Sequence, residues 1–554
     1  MRKLDFLIKG WRILFSLYLI SLICSLPAQA QHPLTTAEKS NFTQTSLYAE
    51  VIDFIAGLQR QTPNIKVETL AVSTEGRSIP LLILGKPAPS SPSGLRGDER
   101  NIIYIQANIH AGEVEGKEAS LMLARDILLG DKGYLLENLI ILIAPIFNPD
   151  GNERISLKNR PNQIGPEKGV GIRYNGQNLD LNRDAIKLES PENQGLVANV
   201  LMRWDPILLV DCHTTNGSYH QEPVTYSWSL NPNGDKVLLE YMRDVMLPEV
   251  NKRLREKYSY LSIPYGNFSD YKNLEKGWRT FSHLPRFITN YIGLRNRFSI
   301  LDENYAYADY KTRVYACYYF LLSILEYCKE HGRAMVELIA EADRRTFARG
   351  LSPDPSDGFR IDFELLPLKE PVTILSWELK GYLDQRGWPR FKKTEKEKTY
   401  VLPYFADFKP RKNIPFPRGY LIHPSIPEVT KKLLQHGIVV ERLTKDISLE
   451  VESFYIKEIK ASERAYQGHH LNQVKGIYKK EKIPFPSGTL FVGTDQSLAN
   501  LAAYLLEPES DDGLLVWNFF DRYIIPQWGL QHVKYPIHRL LLPAIFPREI
   551  VRNE

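Results

Sequence analysis

Four apolar runs of strand length, alternating with helical stretches, constrain the fold of this chain more than any other feature. They are NIIYIQA (101–107), NLIILIAPI (138–146), ILLVDC (207–212) and RFSILD (297–302). Continuous apolar runs of this length are typical of strands covered on both faces, and alternation with helices indicates a parallel sheet. Residues 115–129 have a helical pattern, as does a stretch through 306–330. We therefore predict an α/β fold with a mixed, mostly parallel central sheet flanked by helices.

The pattern changes near residue 350. A helical stretch is expected over 334–347, and Gly350-Leu351-Ser352-Pro353 follows it. The remainder consists of short β-like pieces separated by proline. A chain of 554 residues exceeds the usual 100–200 residues of one domain. We expect an α/β domain at 31–348, with further extended segments at 66–73 and 78–85, and a β-rich α+β accessory domain at 349–554.

Composition narrows the function classes. Hydrophobic residues make up 43% and charged residues 24% of the chain, which excludes long disorder, collagen and a polytopic membrane protein. The formal charge is +5, and it falls to +2 without the first 30 residues, which carry four basic residues and one acidic residue. A nearly neutral chain does not indicate a nucleic-acid partner.

The first 30 residues have the pattern of a signal peptide. Basic residues precede an uncharged apolar run of 14, ILFSLYLISLICSL, which is short for a membrane span. Pro27-Ala28-Gln29-Ala30 then offers an A-x-A cleavage site. We expect export to the periplasm or the extracellular space, with no stable membrane insertion after cleavage. An uncleaved signal anchor is the alternative.

The candidate chemistry lies at the ends of two predicted strands. His110 and Glu113, three residues apart, follow the strand 101–107, and His213 follows the strand 207–212. In open α/β sheets, ligands gather at the carboxyl ends of the strands. Histidine and glutamate are good zinc ligands, and three of them leave a catalytic zinc one open position. Because a lone histidine is often structural, these residues alone leave the metal site open.

Further motifs occur in a fixed order along the chain. Asn148-Pro149-Asp150-Gly151 comes first, Arg160 lies twelve residues after Asn148, and Asp180-Leu181-Asn182-Arg183-Asp184 follows. Ile300-Leu301-Asp302-Glu303-Asn304 ends a late strand. With HxxE and a histidine 100 residues after its glutamate, this order resembles the zinc metallocarboxypeptidases, the carboxypeptidase A-like family fourteen of metallopeptidases. The resemblance covers roughly residues 45–345.

The resemblance implies a role for each of these residues. His110, Glu113 and His213 would bind one Zn²⁺ per chain, and Glu303 would be the general base. Arg160 would stabilise the oxyanion. Asn182 and Arg183 would hold the terminal carboxylate of a peptide substrate, and Tyr291 is a candidate for the family's mobile tyrosine.

Several alternatives stay open at these positions. Arg160 has the ordinary alternative of a surface charge. Asp302 competes with Glu303 as the base, although strand alternation points the two to opposite faces. Asp211 is interpreted as a hydrogen-bond partner of a ligand. Asp184 replaces the family's usual asparagine, and we expect it to orient Arg183.

The expected function is that of an exported zinc metallocarboxypeptidase acting on peptides with a free C-terminus. One alternative is a zinc amidase or deacylase acting on cell-wall peptide or another non-protein amide. A second is a non-catalytic binding protein on a peptidase scaffold. Residues 505–521 resemble the C-terminal extension of some bacterial members. Trp517, Phe519 and Phe520 there are interpreted as packing residues, with a carbohydrate-binding surface as the alternative.

Overall fold

The computed structural model describes residues 32–95, 97–354, 357–383, 389–524 and 533–551. The predicted signal peptide, 1–30, lies outside the described residues. None of the helices in the described ranges is both long enough and apolar enough to cross a membrane.

The described residues contain twenty-one strands, and ten of them lie before residue 306. These are β1 Ile65–Val72, β2 Ser78–Leu84, β3 Asn101–Ala107, β4 Leu139–Ala144, β5 Leu208–Thr215, β6 Val224–Trp228, β7 Ser262–Pro264, β8 Asn267–Phe268, β9 Trp278–Arg279 and β10 Phe298–Tyr305. Eleven more follow: β11 Gly358–Pro367, β12 Val372–Leu383, β13 Pro389–Leu402, β14 Tyr404–Pro415, β15 Gly419–Ile422, β16 Glu441–Leu443, β17 Ile447–Ala461, β18 Asn472–Phe485, β19 Leu490–Gly493, β20 Val533–Leu540 and β21 Arg548–Ile550.

The α-helices of the described residues are mostly in the first part. They are α1 Thr36–Lys39, α2 Tyr48–Gln59, α3 Glu115–Leu128, α4 Pro149–Asn152, α5 Pro191–Gly195, α6 Lys236–Tyr241, α7 Leu247–Tyr258, α8 Ile288–Leu294, α9 Tyr310–Leu351, α10 Pro427–Gln435, α11 Ala499–Leu506 and α12 Asp521–Ile524. Leu196–Leu201 and Met242–Met246 are π-helical. Short 3-10 turns cover Pro92–Leu95, Gly133–Glu137, Leu181–Arg183 and Leu274–Lys276.

The central sheet has eight strands in the order β1-β2-β4-β3-β5-β10-β6-β7. The pairs β3–β4, β3–β5, β5–β10 and β6–β7 are parallel, and the other three are antiparallel. Every residue of β4 and β5 is buried, as expected for inner strands that are covered on both faces. The predicted mixed, mostly parallel sheet with flanking helices is confirmed.

One helix replaces two predicted ones. The segments 306–330 and 334–347 form a single helix of 42 residues, α9. Gly332 does not break it, because a glycine inside a helix costs only about 1 kcal/mol relative to alanine. The alternation of buried and exposed residues continues along the helix, and its last buried residue is Gly350.

The region after α9 is β-rich, as predicted. A seven-stranded sheet has the order β18-β17-β20-β15-β19-β16-β21, and β12 and β13 form a separate hairpin. A four-stranded sheet, β11-β14-β9-β8, joins strands from both parts of the chain. Tyr404 of β14 pairs in parallel with Trp278 of β9. The C-terminal region is therefore continuous with the first part through backbone hydrogen bonds.

Candidate metal and catalytic site

Three elements carry the predicted metal ligands. His110 and Glu113 lie in the loop between β3 and α3, where Glu113 N donates to His110 O at 2.9 Å. His213 lies inside β5, because pairing of β5 with β10 continues to Thr215; the prediction that it follows its strand was wrong. A Cβ at Gly116 would collide with Cys212, so a glycine lets α3 approach β5 closely and brings Glu113 beside His213.

The three side chains converge on one point. Nδ1 of His213 lies 3.0 Å from Oε2 of Glu113 and 3.2 Å from Nδ1 of His110. Nδ1 of His110 lies 3.1 Å from the same oxygen. Bonds of 2.0–2.1 Å to a tetrahedral zinc place neighbouring donors about 3.3 Å apart. Spacing, donor types and burial therefore fit a zinc ion with one open position.

One aspartate lies within hydrogen-bond distance of Nε2 of each histidine. Asp180 Oδ1 lies 3.0 Å from Nε2 of His110, and Asp211 Oδ2 lies 2.8 Å from Nε2 of His213. Burial opposes a charged imidazole, but the Asp211 carboxylate raises the pKa of His213 well above its usual value. A carboxylate on Nε2 orients the ring and leaves Nδ1 for a metal. The interpretation of Asp211 as a hydrogen-bond partner fits this arrangement.

Glu303 stands beside the metal ligands on the neighbouring strand. It pairs in register with His213, one strand over. Burial raises the pKa of Glu303 to about 8; the charge of Glu113 adds to this shift and that of His213 opposes it. Asp302 is fully buried and accepts from Cys317 Sγ at 3.1 Å, on the side of α9. The two carboxylates therefore face different surroundings, as alternation along a strand requires.

Two arginines face the same centre. Arg160 donates to Glu113 Oε1 at 2.8 Å and to the Thr214 carbonyl at 2.7 Å. With 15% of its side chain exposed, it is not a free surface charge. Arg173, which the sequence did not single out, donates to Asp180 Oδ2 at 2.8 Å. Both arginines and His110 line a cavity of about 150 Å³.

The two predicted clamp residues lie next to these ligands but differ in exposure. Asn182 is 6% exposed; its Nδ2 lies 3.3 Å from His213 Nε2, and its Oδ1 accepts from Ile288 N. Its amide therefore supports the His213 side of the site instead of facing an open cleft. Arg183 is partly exposed, stacks 4.1 Å over the ring of Phe287 and donates to its neighbour's carbonyl.

Asp184 does not orient Arg183, contrary to the expectation. It is fully buried and accepts from Lys187 Nζ at 2.9 Å. It also accepts from the Glu189 and Ser190 backbone and from the Ser190 hydroxyl. The carboxylate points away from Arg183 because the turn after it offers these donors. Asp184 therefore stabilises the loop under the site and does not repel an incoming carboxylate.

Tyr291 is held in the core, contrary to its interpretation as a mobile tyrosine. It is 1% exposed within α8, its hydroxyl lies 2.8 Å from His436 Nδ1, and Arg295 donates to it. Packing in the core fixes this side chain. Burial, with the charge of Glu303 adding to the shift, raises the pKa of Tyr265, so this tyrosine interacts electrostatically with the predicted base. Nothing in the local sequence distinguishes Tyr265, since only tertiary folding brings it there.

Comparison with known proteins agrees with this geometry. Residues 51–202 match the model of the zinc carboxypeptidase family. This part of the chain is therefore similar to that family, and the similarity indicates a peptide-bond hydrolase. Two of the predicted ligands, His110 and Glu113, lie inside the matched residues, whereas His213 and Glu303 lie beyond them.

Relatives of this chain cover different parts of it. Carboxypeptidase 2 of Trichophyton rubrum is 24% identical over 483 residues, covering 82% of this chain and 81% of the relative. Human carboxypeptidase D is 31% identical over 228 residues, covering 40% of this chain and 14% of that protein. The solved structure of thrombin activatable fibrinolysis inhibitor is 14% identical, covers 56% of this chain and 79% of its own, and has a TM-score of 0.40.

Proposed function

We propose that this chain is an exported zinc metallocarboxypeptidase that removes residues from the C-terminus of peptides. The observation that carries the proposal is the convergence of two Nδ1 atoms and one carboxylate oxygen within 3.2 Å, beside Glu303. His110, Glu113 and His213 would hold one zinc ion. Zinc, when bound there, polarises a carbonyl and lowers the pKa of a water molecule towards about 7.

The protein groups around this centre divide the remaining work. Glu303 accepts the proton of the attacking water and passes it to the leaving amine. Arg160 stabilises the oxyanion as charge develops, and Arg173 on the same cavity is placed to assist it. The side chains of Glu113 and Arg160 are only 4% and 15% exposed, so their charges interact more strongly than they would in water.

The exopeptidase character rests on Arg183. Its guanidinium stacks on Phe287, and within the described ranges no acidic side chain forms an ion pair with it. A guanidinium fork matches a carboxylate in a bidentate way, which favours substrates with a free C-terminus.

The test compares peptides with free and amidated C-termini. Wild type should cleave the free form far better. Arg183→Ala should remove most of that preference, because a charge-assisted pair contributes about 1.5–3 kcal/mol. Arg183→Lys, which keeps the charge and loses the fork, is the matched control and should retain part of the preference. Equal cleavage of both forms by wild type would reject the proposal of a carboxypeptidase and favour the alternative of a zinc amidase. A zinc-loaded protein that cleaves neither peptides nor muropeptides would favour a binding protein.

Export is the second part of the proposal, and the pattern of residues 1–30 supports it. In the proposed organisation, the catalytic domain occupies 31–348 and the accessory region 349–554. N-terminal sequencing of the protein from the periplasm or medium tests the cleavage site. A mature chain beginning at Gln31 is expected, and an intact N-terminus in the membrane fraction would favour a signal anchor.

A further inference from the structure

The connection between β17 and β18 forms a tight turn at the end of a long hairpin. Tyr466 N donates to His469 O at 2.8 Å, and His469 N donates to Tyr466 O at 3.1 Å. The two residues between them, Gln467 and Gly468, have φ values of 51° and 84°. Positive φ at both central residues is the geometry of a type I′ turn. The turn is therefore closed by its own backbone.

A glutamine is unexpected at the first of these two positions. Asparagine, aspartate and glycine adopt positive φ most readily and dominate type I′ turns. Residues held in this region persist where their surroundings require it, and they concentrate at functional sites. Gln467 makes such a contact: its Oε1 accepts a hydrogen bond from the backbone N–H of Asp180 at 2.8 Å.

Asp180 connects this turn to the metal ligands. Its Oδ1 lies 3.0 Å from Nε2 of His110, and its Oδ2 accepts from Arg173 at 2.8 Å. A displacement of the Asp180 backbone would move both partners. Gln467 is therefore one residue removed from a predicted zinc ligand, although 287 positions separate it from Asp180 in the chain.

A second contact holds the other end of the same loop. His469 Nε2 lies 2.8 Å from Oε1 of Glu189, and the other oxygen of this carboxylate, Oε2, accepts from Lys187 Nζ at 2.6 Å. On its other side, His469 Nδ1 lies 3.1 Å from Asn518 Oδ1. The turn thus spans the loop 180–189 and fixes it at both ends. The hairpin therefore supports the loop that carries Asp180.

We propose that Gln467 is a positioning residue of the metal centre, supplied by the C-terminal region. It holds the Asp180 backbone, so that the Asp180 carboxylate keeps His110 Nδ1 directed at the metal and Arg173 directed at the cavity. This inference rests on the proposed zinc site, and it gives the C-terminal region a part in catalysis beyond an accessory role.

Three variants of the full-length protein test this role. Gln467→Asn suits the turn better but shortens the side chain, so the acceptor no longer reaches Asp180 N. Gln467→Glu keeps an acceptor at the original reach. Glu463→Ala, at an exposed position of the same connection, is the matched control. For each, zinc affinity is measured by competition with a chelator, together with melting temperature, kcat and KM.

Loss of the hydrogen bond from Asp180 N to Gln467 should weaken zinc binding and lower kcat without lowering the melting temperature. Removing a partner that orients a ligand typically lowers metal affinity 10–100-fold, so Gln467→Asn should raise the zinc Kd about 10-fold. Its kcat should fall several-fold with KM nearly unchanged, while its melting temperature stays equal or rises. Gln467→Glu and Glu463→Ala should retain the wild-type zinc Kd.

An unchanged zinc Kd and kcat in Gln467→Asn would overturn the proposal, as would an equal loss in Glu463→Ala. A zinc Kd for Gln467→Glu as weak as that of Gln467→Asn would also overturn it. Zinc affinity is measured without substrate. A wild type that binds zinc but cleaves no peptide would therefore reject the proposed function and leave this inference standing. A wild type that binds no zinc would overturn both.

Discussion

At the scale of single residues, the site is built from paired groups. Each histidine presents Nδ1 to the centre because an aspartate occupies its Nε2, and burial makes each pairing necessary. Burial would raise the pKa of Glu113, but His110 and Arg160 hold it well below its usual value. The carboxylate is therefore ionised, the state in which it binds a metal.

The first prediction concerns zinc stoichiometry. Wild type should bind one zinc ion per chain, and His213→Ala should bind none, because two donors cannot hold the ion against a chelator. His470→Ala removes an exposed histidine and should keep full occupancy. Metal analysis after dialysis provides the measurement. Full occupancy in His213→Ala would show that the ion binds elsewhere.

The second prediction separates two adjacent carboxylates. Glu303→Gln should keep zinc and fold but lose about 100-fold or more in kcat, since general-base catalysis contributes about 10²–10⁴. Asp302→Asn is the neighbouring control: its carboxylate contacts Cys317 on the far side of the strand, so kcat should change little. Steady-state kinetics on one peptide decide. The reverse result would make Asp302 the base.

At the scale of elements, the loop 184–190 and helix α5 support the site from below. Ser190 caps α5, and the helix places Glu192 in the interior near Asp150 and Asp184. Burial, with those two charges adding, raises the pKa of Glu192 to about 7. The folded protein thus retains this proton to a higher pH than the unfolded chain.

The third prediction follows from that difference. Below about pH 4.5 Glu192 is protonated in both states, and stability is lost as the pH rises towards 7, where the folded group also ionises. The loss is up to about 3 kcal/mol. Glu192→Gln, uncharged throughout, should therefore exceed wild type in stability at pH 8 and match it near pH 4. Urea unfolding at both pH values measures this; a difference independent of pH would contradict it.

At the scale of the whole molecule, the two parts of the chain share one apolar core. Leu181 and Tyr291 of the first part belong to the same buried cluster as Phe359, Tyr420 and Leu501 of the second. A buried ion pair joins them as well: Arg286 donates to Asp512 at 2.9 Å. Separation would expose this apolar surface and leave buried charges unpaired.

The fourth prediction is that the chain unfolds as one unit. Calorimetry of the full-length protein should give a single transition. A chain ending at residue 348 should be insoluble or partly unfolded, because half of a shared core becomes exposed. A soluble, zinc-binding fragment 31–348 with a sharp transition would show that the first part folds alone.

Local sequence determined many of the elements and indicated the two predicted metal ligands that lie closest together in the chain. β3 occupies the predicted residues 101–107, and α3 begins at the predicted Glu115, because apolar periodicity reports burial directly. His110 and Glu113 could be recognised because they lie only three residues apart in one loop. The family motifs located His213 and Glu303, and each lies within its strand, two residues before the carboxyl end of β5 or β10, where ligands gather.

Only the tertiary structure decided what surrounds these residues. The structure pairs Asp184 with Lys187 and buries Tyr291 against His436. It also brings three residues to the surroundings of the site that no local pattern indicates, namely Arg173, Tyr265 and Gln467. A buried side chain's hydrogen-bond partner is set by which segments pack together. Gln467 and Tyr291 meet partners 287 and 145 positions away, and residues so far apart carry no shared periodicity that could reveal the contact. Even the short-range pair of Asp184 with Lys187 depends on how the surrounding loop folds.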